Sequence, residues 1–171
     1  DFIRELIPQL TVPAVLDADA LFAVCGYLRL LKKAQTPLVI TPHPGEMAKL
    51  LGVNVADVQS NRVTVAEGFA RQTNVVVVLK GAGTVVATPE GRVFVNNSGN
   101  PGMATGGTGD VLAGMIAALL AQGIVPAAAA ACAVWLHGTA GDIAVTRNGV
   151  AGLLAGDIVE AVPAALKSIG R

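Results

Sequence analysis

A chain of 171 residues has room for one domain with a sizeable core. Hydrophobic residues make up 53% and charged residues only 14%, with a mean hydropathy of +0.60, an apolar balance for a chain outside the membrane. Twelve basic side chains offset twelve acidic ones and no basic cluster stands out, which argues against a nucleic-acid partner. No uninterrupted apolar run reaches the roughly 18 residues of a membrane span. The longest stretches, 111–121 and 127–136, are parted by Gln122, Gly123 and Pro126. Buried helices and a subunit interface, hence a homo-oligomer without a membrane partner, are expected instead. No signal-peptide pattern is visible, so the setting is expected to be cytoplasmic. Cys25 and Cys132 lie in apolar helical contexts and read as free buried thiols. The chain lacks an initiator Met and opens inside a helical pattern, so a fragment of a larger domain is expected.

In chain order, residues 1–9 read as a helix. Residues 13–16 form a short apolar strand that delivers Asp17 and Asp19 to a sheet edge. Residues 20–33 carry Leu21, Val24, Leu28 and Leu31 at helical spacing. Residues 38–40 predict a second strand, stopped by Thr41-Pro-His-Pro-Gly-Glu46, and 47–51 a helical turn closed by Gly52. Residues 55–72 predict one helix with Asp57 as a possible cap. The β-branched run 75–79 is the clearest strand and ends in Lys80-Gly-Ala-Gly-Thr84. Residues 85–87 and 92–95 make a hairpin through Thr88-Pro-Glu-Gly91. A glycine-rich loop follows, then helices over 110–121, 126–145 and 157–166, the last capped by Asp157. Strands alternating with helices predict a mostly parallel α/β sheet, whose ligands gather at the carboxyl ends of the strands. The loops at 17–19, 41–46 and 80–84 and the glycine loop should therefore converge on one edge.

The stretch from Asn96 to Gly114 runs from that loop straight into an apolar helix, with Asp110 at the junction. The first N–H groups of a helix are unpaired and carry partial positive charge, so the junction suits an anion. Gly106, Gly107 and Gly109 allow close backbone approach. Asp110 is either a helix cap or a functional acid placed at that anion site. No Gly-Lys-Ser/Thr closes the loop and Leu112 replaces the third glycine of a dinucleotide fingerprint, so neither motif is present. Lys80 to Thr84 suits a phosphate or nucleotide loop, with Lys80 and Thr84 as donors, though a strand-ending turn looks the same. His43, between two prolines in a loop, favours a ligand contact. Glu46 either binds a hydrated metal ion or caps the next helix. His137, in an apolar helix beside Trp135, reads as core, and Asp142 as structural. Histidine and cysteine spacing gives no zinc site.

The ordered set Val15-Leu-Asp-Ala-Asp-Ala-Leu21, Thr41-Pro-His-Pro-Gly-Glu46, Lys80-Gly-Ala-Gly-Thr84 and Asn100-Pro-Gly-Met-Ala-Thr-Gly-Gly-Thr-Gly-Asp-Val-Leu112 resembles the ADP- or ATP-dependent NAD(P)H-hydrate dehydratases, over essentially the whole chain. The resemblance implies a ribokinase-like fold, a three-layer α/β/α sandwich, with residues 1–171 as the C-terminal major part of one such domain. Family domains are longer at the N-terminus by something like a hundred residues, which carry the first strands and part of the substrate site. The family usually has Asn after Asp-Ala-Asp-Ala-Leu; here Phe22 stands there and inherits no role. By the resemblance, Lys80, Gly81, Ala82, Gly83, Thr84 and Gly109 contact the adenine nucleotide, and His43 and Asp110 contact the hydrated nicotinamide. Asp110 would be the general base on the ring hydroxyl, ADP or ATP the phosphoryl donor, and Mg2+ the companion of the nucleotide. No residue of the chain is assigned as a metal ligand. Two other readings share these residues. One is a small-molecule kinase of the same fold acting on a vitamin-precursor alcohol. The other is a non-catalytic nucleotide-binding fragment, or a subunit completed by an N-terminal fragment of the same domain.

Overall fold

The computed structural model describes residues 2–170. Asp1, the expected first residue of the opening helix, and Arg171 lie outside the described residues. Helix α1 (Phe2–Leu6) gives way to a 3-10 turn over Ile7–Gln9, because Pro8 has no N–H to continue an α-helical ladder. The five strands are β1 (Ala14–Leu16), β2 (Leu38–Ile40), β3 (Val76–Leu79), β4 (Val85–Ala87) and β5 (Val93–Val95), paired in that order in one sheet. The β1–β2 and β2–β3 ladders are parallel, and the β3–β4 and β4–β5 ladders antiparallel. Four strands thus share one direction and β4 alone opposes them.

β2, β3 and β4 are buried along their whole length, which is why they read as continuous apolar runs rather than alternating ones. Their side chains still divide by face. Leu38, Ile40, Val77, Leu79, Val85 and Ala87 join one cluster. It is completed by α2 (Asp19–Val24), α3 (Pro44–Leu51), α4 (Val55–Ser60) and α5 (Arg62–Thr73), the last through Phe69, 1% exposed. Val39, Val76, Val78 and Val86 meet α6 (Thr108–Ala121) and α7 (Pro126–Asn148) on the opposite face. A third cluster packs α6 and α7 against α8 (Ala155–Lys167) through Leu136, Ala140, Ile158 and Ala161. The result is the expected sheet between two helical layers.

Several element bounds differ from expectation for local reasons. The helix expected over 20–33 is α2 plus a 3-10 segment, Leu28–Lys33, because Cys25 turns to an extended ψ of 129°. The helix expected over 55–72 breaks at Asn61, whose φ of −135° and ψ of 37° leave the helical region. Asp57 and Asp157 are not N-caps. Each sits three residues into its helix and accepts from the backbone N–H of Asn54 (3.3 Å) and Leu154 (2.8 Å), reaching back over the first turn. Cys25 and Cys132 are free thiols, Cys25 half-buried and Cys132 exposed, so the burial expected of Cys132 is not found. At 23 residues α7 is long and apolar enough to cross a bilayer, but half of its most apolar window is buried in the protein.

Candidate functional site

β1, β2, β3 and β5 point the same way, so Asp17, Thr41, Lys80 and Asn96, each next after its strand, collect on one edge of the sheet. Backbone hydrogen bonds hold the loops in register there. Thr41 N–H donates to Leu16 O (3.1 Å), Lys80 N–H to Pro42 O (2.8 Å) and Asn96 N–H to Thr84 O (2.9 Å).

Lys80 occupies the centre. Its Nζ donates to Asp17 Oδ1 at 2.8 Å and lies 3.8 Å from Glu46 Oε2. A Cβ built on Gly109 would stand 3.4 Å from the same Nζ and 3.8 Å from Asp17 Oδ2, so the first turn of α6 presses close to this ion pair. Glu46 is 6% exposed and accepts from His43 N–H at 2.7 Å. His43 Nδ1 in turn accepts from the N–H groups of Gly45 (3.0 Å) and Glu46 (3.2 Å). The two residues therefore cap α3 reciprocally, which starts that helix at Pro44 rather than Met47. The cap engages Nδ1, while Nε2 lies 3.5 Å from Glu46 Oε1 on a side chain 56% exposed. Of the two roles open for Glu46, the structure shows the cap. Phe22, where the family has Asn, lies under the Lys49 ammonium at 4.4 Å.

The Lys80–Thr84 loop is closed on itself and braced from behind. Thr84 Oγ1 donates to Gly81 O at 2.9 Å. The Arg62 guanidinium donates to the carbonyls of Leu79 (2.9 Å), Lys80 (3.3 Å) and Gly83 (3.3 Å). The loop's carbonyls are thereby drawn back, and burial lowers the Arg62 pKa from its ordinary value. Sequence reasoning passed over Arg62; a lone Arg at the start of a helix carries no signal that separates it from a surface charge.

Gly107 is the N-cap of α6, with a φ of +86°. Asp110 therefore stands in the first turn of α6, not at its cap, and its side chain is exposed. The capping alternative for Asp110 fails on position. Thr108 supplies the polar anchor instead, donating from Oγ1 towards the carbonyls of Met103 (2.9 Å) and Thr105 (3.0 Å).

A cavity of about 540 Å³ opens between these segments. Lys80, Gly81, Ala82, Gly83, Thr84 and Gly109, the residues expected at the nucleotide, all line it. His43 and Asp110 do not line it; they flank Lys80 and Gly109 on the same sheet edge. Another wall is the 96–104 loop and α7, including His137. His137 is buried as expected, yet its Nε2 has no hydrogen-bond partner among the described residues. Burial pushes its pKa below the ordinary histidine value, against the smaller raising effect of the Thr108 backbone carbonyl. The arrangement can hold an elongated polar molecule with its anionic end at Lys80 and the α6 N-terminus.

Comparison with known proteins bears on this geometry. The chain is 49% identical over 169 residues to the bifunctional NAD(P)H-hydrate repair enzyme of Moorella thermoacetica, covering 99% of this chain but 32% of that protein. The ADP/ATP-dependent NAD(P)H-hydrate dehydratase from Bacillus subtilis, co-crystallised with ATP/Mg2+, superposes with a TM-score of 0.85 at 35% identity, covering 96% of this chain and 57% of that one. A ribokinase-like superfamily protein from Enterococcus faecalis superposes with a TM-score of 0.78 at 28% identity, covering 98% and 57%. The fold is ribokinase-like. A family model described as NAD(P)H-hydrate dehydratase matches residues 3–164, which takes in every strand and each of the four loops at the sheet edge. With that match and this site, the chain belongs to the NAD(P)H-hydrate dehydratase family.

Proposed function

We propose that this chain is the C-terminal major part of a ribokinase-like domain and that the protein dehydrates hydrated NADH and NADPH at the expense of ADP or ATP. The observation that carries the reading is the meeting of a cavity lined by the Lys80–Thr84 loop with the Gly109–Asp110 turn of α6, beside the Asp17–Lys80 ion pair. The activities for which the Bacillus subtilis neighbour and the Moorella relative are named support it.

In this reading the nucleotide lies in the cavity and the hydrated ring lies on the Asp110 side. Asp110 takes the proton of the ring hydroxyl, and its oxygen takes the terminal phosphoryl group. AMP leaves if the donor is ADP, and ADP leaves if it is ATP. The C–O bond to phosphate then breaks as a proton leaves the adjacent ring carbon, which restores the dihydronicotinamide. The unpaired N–H groups of the α6 first turn and the Lys80 ammonium stabilise the charge that develops on phosphate. His43 presents Nε2 to the substrate while Nδ1 keeps its cap.

Magnesium fits as a companion of the nucleotide. No group of three His, Cys, Asp or Glu side chains among the described residues forms a cage of its own, and Mg2+ is commonly held by one or two carboxylates together with substrate phosphates. The ion would be held by the nucleotide phosphates, and no carboxylate of this chain is assigned to it. When bound, the ion would offset phosphate charge. Exposed Tyr27, Phe94 and Trp135 support the further expectation of a homo-oligomer.

The test is recovery of absorbance at 340 nm from hydrated NADH by the full-length protein with ADP, with ATP and without nucleotide. Nucleotide-dependent recovery, with AMP or ADP released, is expected. A stable phosphorylated product without recovery would move the assignment to a kinase, and no reaction with either nucleotide would remove it.

A further inference from the structure

Another wall of the cavity is the 96–104 loop, tied at one end to Thr84 O through Asn96 N–H and at the other to Thr108 through Met103 O. Residues 96–104 hold one short 3-10 turn, Pro101–Met103, and otherwise lack regular structure. Three contacts tie this loop to α7. Ser98 Oγ lies 3.1 Å from Trp135 O, to which it donates. Gly99 N–H donates to Asp142 Oδ2 at 2.8 Å, and Asn100 Nδ2 donates to Asp142 Oδ1 at 3.0 Å. Both carboxylate oxygens of one residue are thus spent on two consecutive loop residues. Asn100 also accepts from Gly102 N–H at 3.1 Å, which starts the 3-10 turn.

The surface of α7 is cut to receive the loop. A Cβ on Gly138 would lie 2.7 Å from the Ser98 carbonyl carbon and 2.8 Å from its oxygen, both backbone atoms that cannot swing aside. A Cβ on Gly141 would come within 2.8 Å of Met103 Cε. The two glycines cost α7 about 1 kcal/mol each relative to alanine in helix propensity, and they open a seat along the face that also carries Asp142.

We propose that Asp142, with the seat at Gly138, is a positioning residue of the nucleotide pocket: it holds the 99–100 segment against α7 so that the loop forms this wall of the cavity. This rests on the reading of that cavity as the nucleotide site. Asp142 does not itself line the cavity; it acts through Gly99 and Asn100, which do.

The distinguishing experiment is a polarity swap. In Asp142→Asn one oxygen remains to accept and an NH2 group faces the Asn100 NH2 group or the Gly99 N–H, so one charge-assisted bond is lost and a donor meets a donor. Adding Asn100→Asp restores the set: the new carboxylate accepts from the amide at 142 and from Gly102 N–H, and the amide oxygen at 142 accepts from Gly99 N–H. Binding of ADP by calorimetry to the full-length protein should weaken about 10- to 100-fold in Asp142→Asn, the effect of one charge-assisted hydrogen bond. The double variant is read by the Gly99 amide alone, because residue 100 lines the cavity and a carboxylate there acts on ADP directly. Exchange of the Gly99 amide hydrogen, read without nucleotide, should quicken in the single variant and slow again in the double. Wild-type affinity in Asp142→Asn, or an unchanged Gly99 amide, overturns the proposal. Failure of the unaltered protein to bind ADP would instead count against the nucleotide reading, while the Gly99 amide still reports on the anchor.

Discussion

The proposed function gives His43 a second job besides the cap that the structure shows, and the two can be separated. Nδ1 caps α3, and a side chain with an oxygen acceptor in the same place can do that as well. His43→Asn should therefore keep stability close to that of the unaltered protein, whereas His43→Ala should lose about 1 kcal/mol in urea unfolding. Turnover of hydrated NADH should fall in both, because neither replacement supplies Nε2 to the ring. Full activity in His43→Asn would reduce the residue to its cap. Asp110 poses the complementary case: exposed in the first turn of α6, it has no structural duty among the hydrogen bonds of the described residues, so its replacement tests chemistry alone. Asp110→Asn should leave ADP affinity near normal and cut turnover about 10²- to 10⁴-fold, the usual share of general-base catalysis. Near-normal turnover would strip Asp110 of the role of base.

At the scale of elements, the α6–α7 pair carries a pH liability. His137 is buried between them and its pKa is lowered, with burial the first cause. The unfolded chain then binds a proton below pH 6.5 that the folded chain refuses, so the folded state is favoured fully above that pH and loses stability as pH falls towards the lowered value. Urea unfolding between pH 7.5 and 5.5 should show a downward slope that His137→Leu flattens. Equal slopes in the two proteins would mean that the ring is not kept neutral by the fold. The neighbouring elements also show what a sequence can disclose. β2 and β4 fall where their apolar runs predict, because both are buried on two faces and nothing else in the chain competes for that pattern. The break at Asn61 was illegible, since one residue leaves the helical region inside a run that keeps its spacing; the break after α2 runs through Cys25, Gly26 and Tyr27, and Gly26, with a φ of +75°, was the signal passed over. The cavity-lining residues 80–84 were marked by their glycines and by the strand before them. Arg62 and Asp142 were not, because each acts on loop backbone far away in the chain and only the folded contacts reveal the target.

For the molecule as a whole, the cavity exists only because distant parts of the chain meet. Its lining comes from the 80–84 loop, the 96–104 loop, the first turn of α6 and the middle of α7. The sheet beneath is closed off: β2, β3 and β4 are buried throughout and sit between two helical layers. A ligand in the cavity has no route to stabilise those strands locally that their own burial does not already supply. It can, however, order the loops, which hold few backbone ladders and open most readily. Amide hydrogen exchange with and without saturating ADP should therefore slow together in 80–84, 96–104 and the first turn of α6, three segments spread over about thirty residues of sequence. The slowest amides of β2 and β3 should change only by the global gain from ligand binding, about 2.7 kcal/mol at a hundredfold excess over the dissociation constant. Protection confined to one of the three segments would mean that ADP does not occupy the shared cavity. Concerted protection of all three would tie the strand-end loop, the glycine-rich loop and the helix N-terminus into one nucleotide site, as the convergence of strand ends on a single sheet edge requires.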